Sequence, residues 1–148
     1  MKRDEGNTMC RTDLLKDTQR IIECFGFEEN QSAKPFTYQR NVKYPSIFSE
    51  KSDYANFLLH TPKGTIQVMA RFQEVTGTAI EKLAYIPFDA ARTPHNHYIV
   101  VCGGGELLKQ NRAVRFLNEH KDDAPKLHAL DINHLESYLE SCLDNKAA

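Results

Sequence analysis

The sequence has almost no net charge. Its 19 Lys and Arg residues face 20 Asp and Glu residues, which gives a formal net charge of −1. Proteins that bind DNA without sequence preference carry a positive field that attracts phosphate from a distance. The composition therefore argues against strong non-specific DNA binding and leaves room for a local basic patch only. The content of 41% hydrophobic and 26% charged residues is ordinary for a folded globular protein.

Cysteine pairs and long apolar runs are also missing. The four cysteines form no CxxC pair and lie at Cys10, Cys24, Cys102 and Cys142. This scatter predicts reduced thiols in a cytoplasmic protein. The opening residues MKRDEGNTMC are polar and predict no secretory leader. No apolar stretch approaches the ~20 residues that a membrane span needs, so the sequence predicts a soluble protein that does not enter a membrane.

A single domain is predicted over residues 12–144, after a flexible terminus at residues 1–11. No repeat or low-complexity segment interrupts it. Apolar periodicity, Gly and Pro place the elements in the order helix, three strands, helix, strand, helix, strand, helix. Apart from the hairpin, the elements are expected as a helix ending at Gly26, a strand over 36–44, a kink at Pro87, a strand over 98–102, a helix over 106–120, a strand over 126–130 and a helix over 132–143. This order predicts an α/β fold, with a mixed sheet flanked by helices.

The clearest element is a β-hairpin. Residues 54–61 and 65–73 have strand composition, and Pro62-Lys63-Gly64 forms the turn between them. Because side chains alternate along a strand, the second strand has two distinct faces. One face carries Ile66, Val68, Ala70 and Phe72. The other, expected to be the polar face, carries Gln67, Met69, Arg71 and Gln73.

The stretch IQVMARFQEVTGTAIEKLAY, residues 66–85, resembles a segment of the PD-(D/E)XK nuclease superfamily. It is similar to the branch found in phage and mobile-element proteins, in which a strand carrying E-x-K leads into a Q-x-x-x-G turn and a helix with an acidic residue before a lysine. Gln73, Gly77, Glu81 and Lys82 match that tail. With SIFSEKSDYANF upstream and VVCGGGELL downstream, the resemblance covers residues 12–120 and implies a restriction-endonuclease-like core.

The resemblance also implies a metal-dependent active site. These nucleases hold Mg²⁺ between carboxylates of the hairpin strands, and a lysine two residues after the second carboxylate helps to activate water. Here the family's aspartate falls on Asn56, its E-x-K on Met69-Ala70-Arg71, and its helix carboxylate near Leu15. A thioether is a poor ligand for a hard cation, and a guanidinium cannot act as a base. The resemblance therefore implies a degenerate site that binds no metal.

Two alternative interpretations keep a functional role for residues of this site, one as an active nuclease and one as a site in which Arg71 replaces the metal. Asp53 stands in for the family aspartate if the strand begins earlier, and Gln73, Glu81 and Lys82 are the other residues with a residual role. An active enzyme would then recruit Mg²⁺ ligands from Asp53, Glu74 or Glu81. Arg71 either forms a structural ion pair on the sheet, with Asp53 or another acid, or binds a phosphate through its fork of donors.

Other local signals have ordinary structural explanations beside functional ones. Basic residues interleave with aromatics before the hairpin and recur on the helix that follows the glycines, so the candidate nucleic-acid contacts are Lys34, Arg40, Lys43, Arg71, Lys109 and Arg112. An edge strand and a solvated helix face would carry the same residues. His95-Asn96-His97 lacks the further ligands of a zinc site. Gly103-Gly104-Gly105 lacks the P-loop pattern and predicts a tight turn.

Three functions are consistent with these observations. The first is a catalytically inactive nuclease-like protein that binds DNA or regulates a protein partner, such as an active nuclease or a replication protein; the family's habit of acting in pairs implies a homodimer. The second is a divergent Mg²⁺-dependent DNA endonuclease. The third is an inhibitor or assembly subunit directed at protein. The first is preferred, with no cofactor, and Mg²⁺ enters only with the second.

Overall fold

A computed structural model describes residues 11–48, 50–74 and 79–144 of the chain, without the side chains of residues 79 and 80. The predicted flexible terminus lies outside these residues apart from Arg11, and so does Gly77. None of the helices within these ranges is long and apolar enough to cross a membrane.

A six-stranded mixed sheet forms the centre of the fold, in the order β1-β2-β3-β4-β5-β6. The strands are β1 (Glu28–Glu29), β2 (Thr37–Pro45), β3 (Ser52–Thr61), β4 (Gly64–Phe72), β5 (His97–Gly103) and β6 (Leu127–Asp131). β2, β3 and β4 are antiparallel, whereas β1 runs parallel to β2, and β5 and β6 continue parallel from β4. The hairpin and the mixed α/β sheet are thus confirmed, and the two-residue strand β1 is an addition to the predicted elements.

Helices cover both faces of the sheet. They are α1 (Arg11–Cys24), α2 (Ala79–Lys82), α3 (Ile86–Ala91), α4 (Gly105–Leu108), α5 (Arg112–Asn118) and α6 (Ile132–Asp144), with short 3₁₀ turns at Leu83–Tyr85 and Lys109–Asn111. One core joins α1 and α6 to the sheet through Leu14, Ile22 and Leu135. The other joins the helices between β4 and β6 to the opposite face through Leu83, Leu107 and Leu117. Both faces of β5 and of the middle of β4 are therefore buried.

The helices are interrupted at two places, of which the sequence predicted one. Pro87 lies in the first turn of α3, directly after the 3₁₀ turn, where its missing N–H costs no hydrogen bond, as expected. The single helix predicted over residues 106–120 is wrong. Gln110 and Asn111 have φ of 54° and 57°, and this left-handed pair separates α4 from α5. Asn111 is of a type that occasionally adopts this conformation but Gln110 is not, so the sequence carries only a weak signal of the break.

The outer edge of β6 is partly covered by a side chain. The amide of Asn118, at the end of α5, donates to the carbonyl of Ala129 at 2.9 Å and accepts from its N–H at 2.8 Å. These two bonds replace those that a neighbouring strand would make. A second strand added at Ala129 would have to displace Asn118, which disfavours pairing between copies of the chain through this edge.

Candidate functional site

A cavity opens where β3 and β4 separate. Their pairing runs from the hairpin turn to Phe57 opposite Val68, whereas β2 still pairs with β3 as far as Ser52 and β4 still pairs with β5 as far as Phe72. At the point of separation, the side-chain oxygen of Asn56 accepts a hydrogen bond of 2.8 Å from the N–H of Ala70. Asn56 therefore closes the ladder in place of a main-chain carbonyl.

This space, which we call the β3–β4 cavity, has a volume of about 630 Å³. The charged side chains of its described lining are Arg11, Arg71, Lys82 and Asp53. Asn41, Asn56, Tyr54 and Tyr85 add neutral polar groups. The lining that the structure describes thus carries three cations and one carboxylate, a net charge of +2. This local charge is hidden by the near-neutral total of the chain.

Arg71 is the most deeply placed cation of the cavity. It is half-buried on β4, and its guanidinium donates to the carbonyl oxygen of Ala70 at 2.9 Å and to the hydroxyl of Tyr85 at 3.0 Å. Tyr85 ends the 3₁₀ turn before α3, so this hydrogen bond connects β4 to the helical layer. The ion pairs of the described residues include none between Arg71 and Asp53. Main-chain and phenol contacts hold the guanidinium, which leaves its charge uncompensated by direct contact with a described carboxylate.

Asp53 is the carboxylate of the described cavity lining, and it ionises less readily than an exposed aspartate. Burial raises its pKa, the charge of Asp89 raises it further, and the charges of Arg71 and Arg92 act in the opposite direction. The folded protein therefore binds the Asp53 proton more tightly than the unfolded chain does. By linkage, this group contributes stability below its unfolded-state pKa and loses that contribution as pH rises through its folded-state pKa.

The residues of the cavity do not fit the magnesium site that the resemblance implies. A catalytic Mg²⁺ needs oxygen ligands, with at least one or two carboxylates from the protein. Within the part of the chain that the structure describes, no three His, Cys, Asp or Glu side chains are grouped so that they could hold a metal ion. Asp53 shares the cavity with three cations, and Asn56 has its oxygen engaged by the main chain.

Met69 lies in the core and not in the cavity. It is fully buried against the helical layer, and its sulfur accepts from the amide of Gln67 at 3.1 Å. The expectation of a polar face made of Gln67, Met69, Arg71 and Gln73 is therefore wrong. The four residues do alternate with Ile66, Val68, Ala70 and Phe72, but helices cover both faces of this central strand, and only Arg71 of this set reaches the cavity.

The remaining residues of the nuclease-like tail separate into two places. Lys82, at the end of α2, lines the cavity, and its exposed neighbour Glu81 lines the adjoining surface. The carbonyl of Gln73 accepts from the main chain of Glu106 at 3.0 Å, and a Glu74 carboxylate oxygen accepts from the N–H of Gly105 at 3.2 Å. Gln73 and Glu74 therefore hold the turn into α4 at the end of the parallel strands.

The other basic candidates lie outside the cavity. Lys34, Lys43 and Lys109 are exposed and do not line it. Arg40 pairs with Glu29 of β1 at 2.9 Å, and Arg112 pairs with Glu106. Their role in nucleic-acid binding stays a prediction. Arg11 was not among the candidates, because it stands in the segment that the sequence predicts to be loose.

The histidine and glycine motifs have structural roles. His95 contacts the hydroxyl of Thr65 through Nδ1 at 2.7 Å, and the Asn96 side chain accepts from the N–H of Thr65 at 3.0 Å, so both secure the start of β4. Gly104 has a φ of 91°, and a Cβ there would lie 2.3 Å from the carbonyl oxygen of Gln73. The predicted tight turn is confirmed, and it needs glycine at this position.

Comparison with known proteins agrees with this architecture. The family model described as the PD-(D/E)XK nuclease superfamily domain matches residues 13–144. No curated protein and no solved structure matches the chain. The matched range contains all six strands, the cavity at the separation of β3 and β4, and the helices on both sides of the sheet. The chain belongs to the PD-(D/E)XK nuclease superfamily.

Proposed function

We propose that this protein binds nucleic acid through phosphates held in the β3–β4 cavity, and that it does so without cleaving the chain. The observation that carries the proposal is the charge of the cavity, where Arg11, Arg71 and Lys82 stand with Asp53 as the carboxylate of the described lining. In the superfamily, this part of the fold supplies carboxylates for a cation. Here the sign of the charge is reversed, which suits an anion.

The hydrogen-bond donors of the cavity favour the same ligand. Asn56 has its oxygen engaged by Ala70, so it offers a ligand N–H donors. Arg71 is held by Tyr85 and by the main chain, which fixes the direction of its guanidinium before any ligand arrives. A planar guanidinium presents several donors that match the oxygens of a phosphate. The cavity thus combines pre-positioned donors with net positive charge.

Salt dependence tests whether the cavity contacts phosphate. Replacing Lys82 by alanine is expected to weaken binding of a labelled oligonucleotide several-fold and to reduce the slope of log K against log salt by about one unit, because one fewer phosphate is neutralised. Lys43→Ala tests the rival candidate site on β2, outside the cavity; if the cavity holds the phosphates, this variant leaves both quantities unchanged. Fluorescence anisotropy between low and physiological salt measures them.

Two results would contradict the proposal. If Lys82→Ala and Lys43→Ala behave alike, the cavity is not the binding site, and the strand surface of β2 becomes the better candidate. If the wild-type protein binds no oligonucleotide at low salt, a protein partner replaces nucleic acid as the ligand.

Asp53→Asn separates anion binding from metal-dependent cleavage. Removing this carboxylate raises the net charge of the cavity by one, so oligonucleotide binding at neutral pH is expected to tighten by about fivefold, as for one screened unit charge near a phosphate. Binding by the wild type should tighten as pH falls through the raised pKa of Asp53, and the variant should lose this part of the pH dependence. Anisotropy titrations across the acid range measure both effects.

The enzymatic alternative predicts the opposite outcome for the same variant. A divergent nuclease would cleave plasmid DNA with Mg²⁺ or Mn²⁺, and Asp53→Asn would abolish that cleavage together with any metal-stimulated binding. Cleavage by the wild type that is lost in Asp53→Asn would overturn the proposal of a non-cleaving protein. The donor set of the cavity leads us to expect no cleavage with either ion.

A further inference from the structure

Most of the large exposed hydrophobic side chains lie in the β3–β4 cavity or in the groove beside it. Among the residues whose burial the structure describes, four are exposed: Phe36, Phe48, Tyr54 and Phe88, at 40%, 59%, 51% and 68% of their full surface. Phe48 and Phe88 line one neighbouring groove, and Tyr54 lines the cavity itself. Exposing an apolar ring to water is unfavourable wherever the ring lies. Three of these four exposed rings nevertheless lie at or beside one site.

The groove that holds Phe48 and Phe88, called here the aromatic groove, adjoins the cavity. It has a volume of about 750 Å³, and Ile47 and Ala84 add to its apolar lining. Asp53, Lys82 and Tyr85 line both spaces. A ligand that places a phosphate beside Arg71 and Lys82 therefore has an apolar, ring-bearing surface within reach of its next groups.

The cavity is charged and the aromatic groove is neutral overall, which matches the charged phosphate and the uncharged base of a nucleotide. The cavity carries a net +2, which suits the phosphate. In the aromatic groove Lys51 and Lys82 are matched by Asp53 and Glu81, so it is neutral overall and does not repel an uncharged base. Aromatic side chains bind bases by stacking, and they reach a base face only when that base has left the double helix.

We infer that the occupant of these two adjoining spaces is single-stranded nucleic acid, with phosphates in the β3–β4 cavity and unstacked bases against Phe48 and Phe88. The inference rests on the proposed phosphate binding and adds the strandedness of the ligand. In a duplex, the bases are stacked on one another and their faces are closed to a side chain. A duplex therefore uses the cavity and leaves the aromatic groove without a partner.

Three probes of matched length test this inference: a single-stranded DNA oligonucleotide, the duplex of the same sequence, and a single strand of abasic sites. The wild type is expected to bind the first about tenfold more tightly than the other two, because stacking of a base on an aromatic ring is lost in both. Phe88→Ala is expected to remove most of this preference and to leave duplex and abasic binding unchanged.

Phe36→Ala is the matched control, since Phe36 is exposed but lines neither space. Phe48→Ala repeats the test from the other side of the groove, and thermal unfolding confirms that each variant is folded. Equal affinity for all three probes, or an unchanged preference in Phe88→Ala, overturns the single-strand inference while phosphate binding stands. Absence of binding to any probe at low salt overturns the proposed function itself.

Discussion

Replacing Arg71 by methionine is expected to reduce oligonucleotide affinity by about 30- to 150-fold at low salt. Methionine keeps an unbranched stem in the half-buried position and removes the guanidinium. Hydrogen bonds between a charged donor and a phosphate contribute about 2–3 kcal/mol, which corresponds to that range. The effect should exceed that of Lys82→Ala, because Arg71 is already directed by Tyr85 and the carbonyl of Ala70. Anisotropy titration against one labelled strand gives the ratio.

The same variant decides between a ligand-binding and a structural role for Arg71. If the guanidinium only ties β4 to Tyr85, then Arg71→Met will lower the melting temperature while the remaining folded protein binds normally. Binding lost with the melting temperature nearly unchanged supports the phosphate contact. Arg115→Met makes the same substitution at an exposed site on α5, and it should alter neither measurement. Arg71→Lys should restore part of the affinity, because it returns a charge without the planar fork.

Local patterns in the sequence predicted the elements that build the site. The Pro62-Lys63-Gly64 turn and the alternation on either side of it fix the hairpin register, and that register places Asn56 near Ala70. Lys82, at the end of α2, also lines this cavity. Local pattern predicted the hairpin, whereas the resemblance to the nuclease segment grouped Asp53, Asn56, Arg71 and Lys82 as candidates for one site.

Contacts between distant segments account for what the sequence did not reveal. Arg11 reaches the cavity because α1 packs across the sheet, and nothing near Arg11 in the sequence indicates that position. Met69 shares its strand face with Arg71, as alternation requires, yet the helical layer buries it completely. The alternation of side chains along a strand predicts which residues share a face, but it does not predict which elements cover that face. For the same reason, the sequence does not reveal that Asp89 is buried and accepts hydrogen bonds from Tyr44 and Tyr98.

Asp89→Ala is expected to lower the free energy of unfolding by about 3–5 kcal/mol, which is roughly 10 °C in melting temperature for a chain of this size. One carboxylate oxygen of Asp89 accepts from the hydroxyls of Tyr44 and Tyr98, at 2.6 and 2.7 Å. The other oxygen accepts from Arg92 at 3.2 Å. Asp89 is 2% exposed and Tyr98 is fully buried. Alanine would leave buried hydroxyls without their acceptor, and each such loss costs about 1–3 kcal/mol.

Tyr98→Phe gives the sharpest check on this explanation. Burial raises the pKa of Tyr98 well above its ordinary value, so its hydroxyl stays protonated and is a donor at all accessible pH. Alone, Tyr98→Phe should cost about 1 kcal/mol; added to Asp89→Ala it should cost little or restore stability, since the unpaired donor is removed. Asp123→Ala, at an exposed turn, is the control for chemical denaturation. Strictly additive costs, or wild-type stability in Asp89→Ala, would contradict the assignment of this carboxylate as the shared acceptor that joins β2, β5 and α3.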